Sequence, residues 1–171
     1  MTLRFEELIE RHHDEIFAYL WRLMEKGRRQ DGAVDVGDLV QDVFLRAYQS
    51  FSRLRSNSNH RAWLYKIATN CAYTELKQAK DRRAKLLSLN ESASEFPVAG
   101  DSSSSRKVME RSVRVLVREL PPKQRLCVTL RYLQDLDYPE IAQILGCSQQ
   151  SVRANVYQAI RRLRITIEEE A

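Results

Sequence analysis

Between Asp137 and Leu163 two apolar helical patterns are separated by only three residues, so the helices they predict must pack directly against each other. The first pattern opens on Asp137-Tyr138-Pro139-Glu140, which offers a carboxylate at the N-cap and Glu at the third helical position. Pro139 is tolerated in a first turn, where its missing N–H has no helical partner. Ile141, Ile144 and Leu145 supply a short apolar face, and Ala142 is small where a second helix must come close. Gly146 can take a positive φ and end that helix, and Ser148 can cap the next one. The second helix is expected from Gln149 to about Ile167, with Val152, Val156, Ala159, Ile160 and Leu163 inward.

The outward face of that helix carries Gln149, Gln150, Arg153, Ala154, Tyr157, Arg161 and Arg164. Its residues through Ile165 include four arginines and no acid. Guanidinium groups match the O6/N7 edge of guanine, and side-chain amides match the N6/N7 edge of adenine. A short helix, a tight turn and a longer helix with polar N-terminal residues is helix-turn-helix geometry. The competing reading is an ordinary helical hairpin with a solvated basic face.

The remainder of the chain reads as helix too. Phe5, Leu8, Ile9, Ile16, Leu20 and Leu23 recur at three- and four-residue spacings, predicting a helix from Thr2, its cap, to Met24. Gly27, Gly32 and clustered charge break the pattern over Lys26–Ala33. Asp35 is placed to cap a second helix with an apolar stripe of Leu39, Val40, Val43, Phe44, Ala47 and Tyr48. The polar segment Ser52–Asn59 is a loop whose last residue can cap a third helix, His60 to about Lys80. A fourth helix is expected from Val108 to Leu120, where Pro121-Pro122 ends it and starts the next. No stretch alternates as a half-buried strand would.

Between residues 85 and 107 lie seven serines, Pro97 and Gly100, which read as a flexible linker, although Leu86, Leu87 and Leu89 can extend the preceding helix. The expected architecture is therefore all-α: two small helical domains, 1–84 and 108–171, joined by residues 85–107, the C-terminal domain holding the helix-turn-helix.

The third helix has a second candidate surface. Lys66, Asn70, Tyr73 and Lys77 follow at spacings of four, three and four, with Arg61, Trp63 and Tyr65 near their start. Cations meeting phosphates beside aromatic rings that stack on unpaired bases are what single-stranded DNA requires. The alternative is a solvated helix face with aromatics packing at its edges.

Several chemistries are disfavoured. Asp38 and Asp42 form a carboxylate pair at i, i+4, but no His or third acid joins them in sequence, so a solvated or docking face is expected. His12-His13 lacks the spaced partners of a metal site. No nucleophile–base set or Gly-rich phosphate loop supports catalysis. Cys71, Cys127 and Cys147 are odd in number and far apart, which predicts reduced, mostly buried thiols rather than disulfides. Charges in residues 1–10 argue against a signal peptide, and no apolar run approaches a membrane span. A cytoplasmic protein without membrane insertion is the expectation. The net charge of +5, from 28 basic and 23 acidic side chains, permits nucleic-acid binding without demonstrating it.

Three segments together resemble the extracytoplasmic-function group of bacterial sigma factors. Asp38-Leu39-Val40-Gln41-Asp42-Val43-Phe44-Leu45-Arg46-Ala47-Tyr48 is similar to region 2.2 of that group. Arg61-Ala62-Trp63-Leu64-Tyr65-Lys66-Ile67-Ala68-Thr69-Asn70 is similar to regions 2.3 and 2.4. Leu120 to Arg125 together with Tyr138 to Leu163 is similar to region 4. The resemblance implies a non-enzymatic initiation factor, without a cofactor, whose partners are core RNA polymerase (the β′ clamp and β flap), promoter DNA and an anti-sigma factor.

Residue by residue, the resemblance implies that Asp38, Leu39, Gln41, Asp42 and Phe44 dock on the clamp. Arg61, Trp63, Lys66, Asn70, Tyr73 and Lys77 would then melt and hold the −10 element, and Ser148, Gln149, Gln150, Arg153, Ala154, Tyr157 and Arg161 would read the −35 element. The sequence departs from the pattern at Gln149, Gln150, Asn155 and Gln158, where relatives often carry more basic residues, and Asp42 stands where Glu is common. A stand-alone helix-turn-helix regulator of duplex DNA is the alternative, and it would have no use for the segment Asp38–Tyr48.

Overall fold

Local capping chemistry sets where the helices begin. In the computed structural model, which describes residues 4–24, 35–55, 57–89 and 113–170, Asp35 takes an extended conformation and its carboxylate accepts from the Gly37 N–H at 2.7 Å. Asn59 does the same for the third helix, accepting from the Ala62 N–H at 3.0 Å. The elements are α1 (Phe5–Met24), α2 (Val36–Phe51), α3 (His60–Leu89), α4 (113–119), α5 (Pro122–Val128), α6 (Tyr138–Leu145) and α7 (Gln149–Glu170). No strand occurs among the described residues. The expected cap at Thr2, the loop Lys26–Ala33, the start of the fourth helix and linker residues 90–107 lie outside the described residues. Residues 85–89, expected in the linker, are instead the last turn of α3. Its Lys, Leu, Ser and Leu side chains keep good helical order there while remaining exposed.

Helices α1, α2 and α3 pack on one another. Leu8, Ile16, Leu20 and Leu23 of α1 meet Leu39, Val43 and Ala47 of α2 and Leu64, Ala68 and Ala72 of α3, all buried. Each buried Leu, Ile or Val contributes about 1.5–3 kcal/mol by leaving water. One polar pair lies inside: the Tyr19 and Thr69 hydroxyls are 2.8 Å apart, so neither is left unsatisfied. Burial pushes the Tyr19 phenol above the usual range, which keeps it neutral. Phe5 closes the end of the unit edge-on against Tyr48 and Phe51, with centroids 5.2 Å away in each case.

In the second unit α5 does not stop cleanly. It runs into a π-helical turn, Thr129–Leu133, in which the Gln134 N–H reaches back to the Thr129 carbonyl. Asp135 follows with φ 53, a left-handed residue that reverses the chain into α6. Leu126, Leu130, Ile141, Ile144, Val152 and Val156 form the core.

The two helical units expected from the sequence pack against each other and share one core. Helix α3 packs on α5 and α6, and α1 packs on the π turn. The last carbonyls of a helix have no partner within it, and each unit supplies a guanidinium to the other's helix end. Arg125 of α5 donates to the Leu23 carbonyl near the end of α1, and Arg22 of α1 donates to the Leu133 carbonyl at 3.0 Å. Glu15 of α1 accepts from Arg61 Nε at 2.7 Å and from the Tyr65 hydroxyl at 2.8 Å. Tyr65 Oη also lies 3.1 Å from Gln134 Oε1, and Arg61 Nη1 lies 4.0 Å from Glu140. Cys71 and Cys127 are buried as expected, and burial pushes the Cys127 thiol up to about 12. Cys147, in the turn before α7, is exposed instead.

Burial alone would raise the Glu15 carboxyl, but the hydrogen bonds from Arg61 and Tyr65 hold it below its ordinary value of 4.5. A carboxylate whose value is lowered by folding adds stability above its unfolded value, and that stability is lost as pH falls through the folded one. Glu15→Gln is therefore expected to flatten the acid side of the stability profile. Urea midpoints measured from about pH 6 down to about pH 3 should fall more steeply for the wild type. Parallel curves would show that Glu15 does not carry the linkage.

Candidate nucleic-acid interface and docking face

The turn between α6 and α7 forms as its residues require. Asp137 accepts from the Glu140 N–H at 2.8 Å, while Glu140 accepts from the Asp137 N–H at 3.0 Å, a reciprocal capping box. Gly146 ends α6 with φ 63, and the Ser148 hydroxyl caps α7 by accepting from the Ser151 N–H at 3.1 Å. Ala142 is buried on α6, which packs on α7. The core face of α7 is Val152, Val156 and Ala159.

The opposite face of α7 is open. Gln149, Gln150, Arg153, Ala154, Tyr157 and Arg161 are all exposed, Tyr157 to 68%. Spaced by three and four, they lie on one side of a helix that can enter a major groove. Ser148 is exposed as well, but its hydroxyl is taken by the cap. Tyr138, the first residue of α6, was not among the expected site residues. Its ring centroid lies 5.1 Å from Arg153 Cζ and 5.4 Å from Arg131 Cζ.

On α3 the expected stripe divides. Lys66, Asn70 and Lys77 are exposed and Tyr73 is half-buried at their edge. Trp63, seven residues before Asn70, falls on the same side and is half-buried against the core. Arg61 does not belong with them. Nine positions at about 100° each place it roughly 180° from Asn70. It is turned toward Glu15, which hydrogen-bonds it, and toward Glu140. A charge tied into that network is not free to meet a phosphate in this arrangement.

On α2 the expected docking set divides in the same way. Asp38 and Gln41 are exposed, whereas Leu39 is 4% and Phe44 8% exposed. Leu39 is a core residue and anchors the helix rather than offering a surface. Asp42 forms an i, i+4 ion pair with Arg46 at 3.0 Å. The surface includes two residues absent from the expected set, Leu45 at 55% and Tyr48 at 65% exposed. Leu45 lies one step off the core stripe, whereas Tyr48, expected on it, is mostly exposed and packs edge-on against Phe5. With Phe5, Ile9 and His13 of α1 and Asp38, Gln41 and Phe44 of α2 they line an open groove of about 550 Å³. Among the described residues no three His, Cys, Asp or Glu side chains gather as metal ligands, and no helix is long and apolar enough to cross a membrane.

Comparison with known proteins agrees with this layout. Residues 8–82 match the family model described as sigma-70 region 2, and residues 110–163 match sigma-70, region 4. The ECF RNA polymerase sigma-E factor of Escherichia coli strain K12 is 30% identical over 164 residues, 91% of this chain and 82% of that protein. The protein of the same name from Haemophilus influenzae is 28% identical over 163 residues, again 91% and 82%. CnrH, solved in complex with the cytosolic domain of CnrY, has a similar fold: TM-score 0.67, 19% identity, 98% of this chain and 89% of that one. So does the sigma factor RpoE solved with the anti-sigma factor NepR from Bartonella quintana: TM-score 0.64, 20% identity, 96% of both chains.

The φ of 63 at Gly146, with nothing within 4 Å of where a Cβ would stand, makes a clean test of the turn. Gly146→Ala is expected to lower stability by about 1–2 kcal/mol through backbone strain alone, and Gly146→Asn by less. Equal urea midpoints for wild type and the alanine variant would contradict the left-handed cap.

Proposed function

Because the chain belongs to the ECF RNA polymerase sigma factors, we propose that it docks on core RNA polymerase through the α1–α2 groove and directs initiation by reading promoter DNA with α3 and α7. The observation that carries the proposal is the two-sidedness of both reading helices. The faces of α3 and α7 opposite their buried stripes remain exposed, polar and free of the packing that joins the two units.

The roles follow from surface chemistry. Asp38 and Gln41, with the exposed Leu45 and Tyr48, offer a carboxylate, an amide and apolar area to the clamp of the polymerase, a mixture suited to a partner surface. Leu39 and Phe44 hold that surface in shape. Lys66, Asn70, Tyr73 and Lys77 hold the opened −10 strand, with Trp63 at the end of the stripe as a stacking platform. Gln149, Gln150, Arg153, Ala154, Tyr157 and Arg161 enter the major groove of the −35 element, Arg153 being the side chain best suited to guanine. The factor itself catalyses nothing, needs no cofactor and works in the cytoplasm, where the polymerase is. The two domains are the units α1–α3 and α4–α7, joined by the segment between them.

The packed arrangement constrains how the factor acts. Promoter elements centred near −10 and −35 are about 25 base pairs apart, roughly 85 Å along the duplex. Helix α3 spans only about 45 Å, and α6 packs directly against it. The two units must therefore part before both elements are read. An anti-sigma partner that covers either face would hold the factor off the promoter. A relative of the same fold was solved with such a factor. A stand-alone duplex-binding regulator is less well supported, because the region 2 match spans 8–82 and that reading leaves the α1–α2 groove without a task.

Run-off transcription with core polymerase tests the proposal. Wild type is expected to give promoter-dependent initiation, and Asp38→Arg to abolish it with unchanged helical circular dichroism. Full activity of that variant would remove the docking assignment, and no promoter dependence in the wild type would remove the function.

A further inference from the structure

We propose that Tyr138 is the positioning residue for Arg153, so that an aromatic side chain outside the reading helix sets which upstream base pair the factor discriminates. This rests on the reading of α7 given above and adds a residue that the α7 pattern does not contain.

Three observations converge on this ring. Tyr138 sits at the first position of α6, fixed there by the Asp137–Glu140 capping box on either side of it, and its side chain is half-buried. Arg131 Cζ stands 5.4 Å from the ring centroid, and Arg131 is itself tethered by donating to the Leu136 carbonyl at 3.2 Å. Arg153 Cζ stands 5.1 Å from the same centroid, reaching back from the exposed face of α7. A tethered cation and a capped helix start hold the ring, and the ring in turn holds the second guanidinium.

The consequence is conformational. An arginine on an open helix face has many rotamers, and fixing one of them on a base costs entropy at the moment of binding. A guanidinium resting over an aromatic face is attracted by the ring's negative quadrupole and prefers few of those rotamers. The ordering then belongs to the folded protein and not to the complex. Among the described residues no carboxylate lies within ion-pair distance of Arg153, so the stack is not competing with a salt bridge that would place it elsewhere.

Discrimination at each upstream position is read from run-off transcription with core polymerase, on promoters selected by the wild-type chain and then varied through the −35 element. Arg153→Ala is expected to lose discrimination at one or two base pairs. Tyr138→Leu keeps an apolar side chain at the site but removes the ring, and should lose discrimination at those same base pairs by about threefold to fivefold. Tyr138→Phe should restore it. In the Arg153→Ala background, Tyr138→Leu should add nothing. If Tyr138→Leu lowers transcription evenly across all variants, or adds fully to Arg153→Ala, Tyr138 is structural and the proposal fails while the reading of α7 stands. If Arg153→Ala leaves discrimination unchanged everywhere, the base-reading role of Arg153 fails and the positioning role with it.

Discussion

The rotational setting of α3 governs the rest of the molecule. A 30-residue helix touching both units can offer only one free side, and the side it offers is decided by what it buries. Leu64, Tyr65, Ala68, Thr69 and Ala72 are buried, with the Thr69 hydroxyl against Tyr19 and the Tyr65 hydroxyl on Glu15. Polar pairs in such a position specify register, because a rotated helix would leave each hydroxyl without a partner in a low-dielectric interior. With that side committed, Lys66, Asn70 and Lys77 have no place to go but outward. The surface proposed for the opened strand is thus a by-product of how the core is satisfied.

The same logic joins the two units. Helix ends are chemically incomplete, and the ends of α1 and of the π turn are completed by arginines from the opposite unit. Contacts of this kind can be exchanged for water at modest net cost, because a hydrogen bond within the protein replaces one to solvent. Interfaces built from them suit modules that must separate, as the proposed reading of both promoter elements asks of these two. The apolar part of the interface, where α3 meets α5 and α6, supplies the remaining attraction.

Much of the second unit was legible because its signals are local. The capping box at Asp137, the glycine at 146 and the serine at 148 act within three or four residues, so each could be placed from neighbouring letters and each is found as expected. The open face of α7 follows from its apolar stripe by periodicity alone. Arg61 was not legible in this way. Close in sequence to Trp63 and Lys66, it belongs by helix geometry to the opposite side, and only the carboxylate of Glu15, 46 positions away in the chain, explains where it points. Leu39 and Phe44 belong to the second helix's apolar stripe, yet their burial depends on α1 and α3 closing over them. Leu45 lies off that stripe and is exposed, and Tyr48, expected on it, is left at the rim instead of in the core.

By itself the amino-acid sequence determined the all-α class, most helix starts and the open polar face of α7, since these depend on propensity, capping and spacing within a few residues. It also carried the family resemblance, which the comparisons bear out. Tertiary structure alone decided that the two units share a core and that Tyr138 stands beside Arg153. The reason is the same in each case: these features arise from contacts between residues distant in the chain, whose meeting depends on how whole helices pack rather than on any local pattern.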